Sequence, residues 1–255
     1  MRLACGIAYD GSAFHGWQRQ TNLPTVQGEL ERAISTVADA PVTVVASGRT
    51  DRAVHALGQV ATFDSPAQRD LDTWLRALNG LTPDAISVPW VQPVPDEFHA
   101  RYSAVARRYC YVFSDAGHSN PLLAQRAWQT RALDVDAMHR AGQLLLGEQD
   151  FSAVRGAGCQ SLTPVRRVDQ CVVRRQGGFV LLEIQANAFL LHMVRNIARL
   201  LHDVGRGEPI AVTDLLLGRD RTRLGATAPA QGLYFARSVY AGVVFPLPPP
   251  LQLIG

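Results

Sequence analysis

The chain has 255 residues, 47% of them hydrophobic and 18% charged, which suits one large domain or two compact halves and excludes disordered, collagen-like and coiled-coil classes. No apolar run reaches the roughly 18 residues of a membrane helix; residues 179–191 come closest and are interrupted by Glu183, Gln185 and Asn187. The formal net charge is only +3, but all 25 basic residues are arginine, whose planar fork grips phosphates and stacks on bases.

In chain order, residues 2–9 alternate as a strand and end in the turn signal Asp10-Gly11-Ser12. After Pro24, the spacing of Val26, Leu30, Ala33, Ile34 and Val37 predicts a helix. Short strands follow at 42–46 and 58–64, then a helix capped by Asp70 with Trp74, Leu75 and Leu78 on its apolar side. A strand over 85–94, interrupted by Pro89 and Pro93, completes a β-α-β-β-α-β order.

The second half is expected to repeat that order. Residues 107–114 alternate, with Arg107, Tyr109, Tyr111 and Phe113 on one face. A helix runs from the cap Asp134 to Leu146, a hairpin over 165–185 turns at Gly177-Gly178, and helices are predicted at 188–204 and 212–217. A last strand spans 233–245. The expected fold class is therefore α+β: two ferredoxin-like halves, also the order of RNA-recognition motifs, forming a continuous, mainly antiparallel sheet with helices on one face and a central cleft. The expected boundaries are 1–100, 101–246 and a Pro-rich, extended tail over 247–255.

Cys5, Cys110, Cys159 and Cys171 are scattered without metal or disulfide spacing, which suits idle thiols in a reducing compartment. Nothing before Cys5 forms the apolar stretch of a signal peptide, so a soluble, cytoplasmic protein without a membrane partner is expected. Arginines cluster at 101–108, 166–167, 174–175 and 219–223, which favours a basic face and a nucleic-acid partner.

The most unusual stretch runs from Ala46 to Val60, where a polar loop carrying Arg49, Asp51, Arg52 and His55 sits between two short strands. Functional residues favour such connections. On the residues alone, Asp51 either does chemistry or braces the loop through Arg49 or Arg52. His55 reads better as a packed histidine than as a base. A metal-dependent hydrolase built on Asp10, Asp51, His55 and His99 would need a ligand spacing that the chain lacks.

Gly48-Arg49-Thr50-Asp51, followed by Val54-His55-Ala56 and Gly58-Gln59-Val60, resembles the catalytic motif of the bacterial tRNA pseudouridine synthase A family. Four further segments resemble that family in the same order. They are Tyr9-Asp10-Gly11 to Gln18-Arg19-Gln20, Phe98-His99-Ala100-Arg101-Tyr102 to Tyr109, Asn187 to His192-Met193-Val194-Arg195-Asn196, and Ala228-Pro229 to Gly232-Leu233-Tyr234. The resemblance implies a cofactor-free, metal-free isomerisation of uridine at positions 38–40 of the tRNA anticodon stem-loop, by a homodimer.

It also implies roles. Asp51 is the essential carboxylate, acting as nucleophile or as stabiliser of the positive charge that develops at C1′. Arg195 is the arginine paired with it, and a neighbouring guanidinium favours an ionised carboxylate. Tyr109 stacks on the base and takes part in proton transfer. Arg49 holds the gap left by the flipped nucleotide. Leu233 packs on the uracil, and Gln18, Arg19, Arg101 and His192 join the substrate-binding set. Where the family has Ala-Gly after the aspartate, this chain has Arg52-Ala53. If that backbone requires φ > 0, Ala53 carries about 1 kcal/mol of strain. A catalytically impaired RNA-binding protein or chaperone of the same fold is the alternative from another functional class.

Overall fold

The computed structural model describes residues 1–249 and 251, so residues 250 and 252–255 of the expected tail lie outside the described residues. The first elements are β1 (Arg2–Tyr9), α1 (Val26–Ala38), β2 (Val45–Ala46), β3 (His55–Asp64), α2 (Leu71–Leu81) and β4 (Ile86–Pro93). Then come β5 (Ala104–Ser114), β6 (Trp128–Gln129), α3 (Val135–Gln143), β7 (Gly147–Asp150), β8 (Val165–Gln176) and β9 (Phe179–Ala186). The described chain ends with α4 (Met193–Gly205), α5 (Val212–Gly218) and β10 (Leu233–Tyr240). Strands and helices in this mixture make an α+β fold, the class that the periodicities predict. Two compact units are formed, Met1–Val105 with Tyr234–Leu251, and Ala106–Leu233.

In the first unit β1 lies between β4 and β3, antiparallel to both. β2 pairs antiparallel with β3 at Ala61 and Thr62, while β10 pairs in parallel with β3 at His55 and Ala56. α1 starts where the Thr25 hydroxyl accepts the Gly28 amide, and it buries Val26, Leu30, Ala33 and Ile34 along one stripe. α2 is capped by Asp70, whose carboxylate accepts the Thr73 amide at 2.7 Å. It buries Trp74 against Phe63, ring centroids 5.2 Å apart. Full burial of side chains this size stabilises by about 2 kcal/mol each. Pro89 and Pro93 are tolerated because, among the described residues, β4 pairs only with β1, and an edge strand can forgo ladder donors.

A second, smaller apolar cluster joins Ala4, Val60 and Phe98 to Trp90, Tyr240 and Phe245. Phe245 stacks on Trp90 at 4.7 Å. Glycines make the approach possible: a Cβ at Gly6 would stand 2.2 Å from the Trp90 indole, and one at Gly58 2.8 Å from Pro248. The last strand, expected with the second half, therefore belongs to the first unit, held by its ladder with β3 and by this cluster. The start of the Pro-rich segment also returns onto β3.

In the second unit β5, β9, β8 and β7 form an antiparallel ladder in that order, and β6 adds in parallel to β5. The β8–β9 hairpin turns at Gly177, whose φ of +55° suits glycine. α3 packs on β8 and on α4. The core includes Tyr111, Phe113, Met138, Phe151, Leu182 and Ile197. α4 begins at Met193 rather than at the expected 188. Asn187 explains the delay: its Oδ1 accepts the amides of Ala188 and Arg167, and His192 then adopts a left-handed φ of +58°. The strand expected over 42–46 shortens to β2, and that expected over 58–64 lengthens to β3.

The four cysteines are free, and burial pushes the Cys5, Cys110 and Cys171 thiols up to about 12. Among the described residues, no helix is long and apolar enough to cross a membrane.

Candidate active site

Asp51 heads a four-residue turn between β2 and β3, closed by a bond from the Val54 amide to the Asp51 carbonyl at 3.2 Å. Ala53, third in that turn, has φ +64°, the conformation at which an L-residue with a Cβ is strained. The loop is gripped on both sides of the carboxylate. Ser47 donates to Gln59 Oε1 at 2.5 Å, and Gln59 Nε2 donates to the Gly48 carbonyl at 2.7 Å. The Thr50 hydroxyl shares a buried 2.7 Å bond with Tyr9, and the Thr50 carbonyl accepts the Trp17 amide at 3.0 Å. Burial pushes the Tyr9 phenol up to about 12, against the pull of its bonds with Thr50 and Gln59, so it remains neutral.

The segment after β1 reaches this loop through two glycines. A Cβ on Gly11 would lie 2.0 Å from the Val54 carbonyl oxygen, and one on Gly16, at φ +93°, 2.8 Å from the Thr50 oxygen. The Gly11 amide donates to His55 Nδ1 at 3.1 Å, and the His55 ring stacks on Tyr234 at 4.7 Å. Asp51 itself is half-buried, while Arg49 and Arg52 occupy exposed positions. A partly buried carboxylate on a braced turn, with guanidiniums beside it in sequence, can stabilise a developing cation.

Gln18 and Arg19, from the same segment, are tied to α1. Gln18 donates to Gln27 at 3.0 Å, and the Arg19 guanidinium lies 3.1 Å from the buried Glu31 carboxylate. Arg101 stands on an exposed loop with its guanidinium carbon 5.5 Å from the Tyr102 ring.

The second unit carries the other expected residues. Tyr109 sits opposite Ile184 on β5, half-buried, with its ring edge-on to Phe189 at 5.0 Å. Arg195 lies in the first turn of α4 and donates from Nε to the Ala228 carbonyl at 2.8 Å. Tyr111 donates to the next carbonyl, Pro229, at 2.7 Å. Burial raises the Tyr111 phenol far above its ordinary pKa, with Arg195 drawing it partly back. A Cβ at Gly232 would stand 2.7 Å from that ring, so the segment carrying Leu233 is laid against Tyr111. Leu233 is buried, and the His192 carbonyl accepts the Asn196 amide at 2.9 Å.

Asp51, Arg49, Gln18, Arg19 and Arg101 thus belong to the first unit, and Tyr109, Arg195, His192 and Leu233 to the second. Tyr9 and Gln59 lie within the motifs read from sequence and Tyr111 on the strand face of Tyr109, but the sequence assigns none of the three a role. Asn196 is another supporting group, donating to the Val154 carbonyl and accepting from Arg221 and Thr227. Among the described residues, no cluster of three His, Cys, Asp or Glu side chains could hold a metal ion. His99 uses Nδ1 to accept the amides of Arg101 and Tyr102.

The chain matches a family model described as tRNA pseudouridine synthase over residues 6–103 and 141–241, which include Asp51 and Arg195 but not Tyr109. Relatives named tRNA pseudouridine synthase A have similar sequences. One from Hydrogenovibrio crunogenus is 50% identical over 241 residues, 93% of this chain and 92% of the relative. One from Coxiella burnetii is 49% identical over 243 residues, 94% of this chain and 93% of its own. One from Legionella pneumophila is 48% identical over 244 residues, with the same coverage of 94% and 93%. A chain of a solved Cbf5-Nop10-Gar1 complex aligns over 91% of this chain and 48% of its own, at 14% identity and a TM-score of 0.38, a likeness too remote to carry a conclusion.

Proposed function

The chain belongs to the tRNA pseudouridine synthase family, isomerases that make pseudouridine in tRNA, and we propose that Asp51 is its essential carboxylate and the anticodon stem-loop, at positions 38–40, its target. The observation that carries this reading is the braced turn on which Asp51 sits, because a carboxylate already held in place stabilises positive charge without reorganising. In the reaction the N1–C1′ bond breaks and the uracil turns while bound. C5 then bonds to C1′, the C5 proton is lost and N1 ends protonated.

Asp51 either bonds to C1′ as N1 leaves and is released as a carboxylate when C5 bonds there, or stays ionised and balances the positive charge that develops at C1′. Arg195 is the proposed partner of that carboxylate, and its bond to the Ala228 carbonyl supports a fixed guanidinium. Tyr109 stacks on the base, Leu233 packs against it, and Arg49 holds the space of the flipped nucleotide. His192, Gln18, Arg19 and Arg101 contribute to holding the RNA. The enzyme acts as a cytoplasmic homodimer and needs no cofactor.

Tritium release from tRNA labelled at uracil C5 tests this reading, because release requires substitution at C5. In EDTA, wild type releases tritium, and Asp51→Asn lowers the rate at least about a thousandfold while still binding tRNA. Release at the wild-type rate from Asp51→Asn would remove the carboxylate from the mechanism. Tight binding by wild type without release would favour the RNA-binding alternative.

A further inference from the structure

Every tyrosine, tryptophan and phenylalanine of the chain is buried or half-buried except Tyr102, which is 75% exposed. It does not hang on a loose loop. The preceding Phe98 is buried, and the Ala100 carbonyl accepts the Tyr240 hydroxyl at 2.8 Å. The Ser103 amide donates to the His99 carbonyl at 2.9 Å, and His99 Nδ1 accepts the amides of Arg101 and Tyr102 at 3.1 and 3.2 Å. The His99 ring lies 4.4 Å from the Tyr102 ring, and the Arg101 guanidinium carbon 5.5 Å from it. An aromatic ring is thus presented to solvent, already ordered, with a cation alongside.

The geometry points to Tyr102 as a stacking platform for an unpaired base of the bound tRNA, with Arg101 on the adjoining phosphate. This rests on the reading of the chain as a tRNA-binding isomerase and deepens it by naming a contact outside the Asp51 loop. Base stacking on an aromatic ring contributes substantially to binding and tolerates any base. A ring ordered before binding loses little entropy on contact. A guanidinium beside it complements the phosphate that joins successive bases.

The test is equilibrium binding of unmodified tRNA across a salt series by the full chain and its variants. Tyr102→Ala should raise Kd about tenfold, with the slope of log K against log salt unchanged. Tyr102→Trp should bind as wild type. Arg101→Ala should flatten the salt slope by about one. An unchanged Kd for Tyr102→Ala, a Trp variant as weak as the Ala variant, or a shift in oligomeric state in place of a shift in Kd would each overturn the platform. Failure of the catalytic reading is separate and shows in the wild type, as tRNA bound without tritium release.

Discussion

Ala53 follows the turn's second residue with a backbone in the conformation that glycine tolerates best, φ +64°. The turn persists because the bonds around it over-determine it: Thr50 is fixed by Tyr9 and Trp17, and Val54 by the Asp51 carbonyl. The strain is local, two residues from the proposed catalytic carboxylate. Ala53→Gly should therefore stabilise the chain by about 1 kcal/mol, despite the greater entropy of glycine in the unfolded state. For a chain of this size that is a rise in Tm of about 2–4 °C, read by calorimetry. A fall in Tm would mean that the methyl group packs well enough to outweigh the strain. His55 is a contrasting residue: the sequence reads it as packed rather than as a base, and it is buried, stacked on Tyr234 and bonded to the Gly11 amide.

At the scale of elements, α4 is the helix whose start matters most, since Arg195 lies in its first turn. Asn196 locks that turn by joining the Val154 carbonyl, Arg221 and Thr227 at 2.8, 3.0 and 2.9 Å. Asn196→Ala leaves a buried carbonyl and a guanidinium short of a partner. It should cost about 2–4 kcal/mol, measured as a shift in urea midpoint at constant slope. A loss below about 0.5 kcal/mol would show that water or neighbouring side chains replace those bonds. Periodicity predicts this helix about a turn and a half too long, because residues 188–192 share its apolar character. Hydropathy does not reveal that Asn187 diverts two amides or that His192 turns left-handed. β10 was legible as a strand, but its partner was not, since strand pairing is a long-range choice.

Across the whole molecule, charge and burial set the response to pH. The guanidinium of Arg2 holds Asp64, and that of Arg175 holds Asp115, below the ordinary carboxylate range. A carboxyl with a lowered folded pKa contributes stability above its unfolded value of 3.8, and that stability fades as pH falls through the folded value. Burial also lowers His202, against the upward pull of Asp203, while the ring stacks on Trp128 at 4.1 Å. Here the unfolded chain takes up a proton first, so stability begins to fall below pH 6.5. Thermal unfolding should accordingly show a decline starting near pH 6.5 and a steeper one below 3.8. His202→Gln should remove the upper decline; its persistence would assign that step to another group.

Composition, helical and strand periodicity, caps and five ordered motifs made the α+β class, most helices and the family legible, because each depends on neighbours along the chain. Asp70 and Asp134 cap their helices as the sequence suggests, since a side chain one turn away is all that capping requires. The bond between Tyr9 and Thr50, the passage of Gly11 and Gly16 against the Asp51 turn, and the place of β10 beside β3 were decided only by the tertiary structure. Each joins residues far apart in sequence, and long-range pairing and packing leave no periodic trace in the chain.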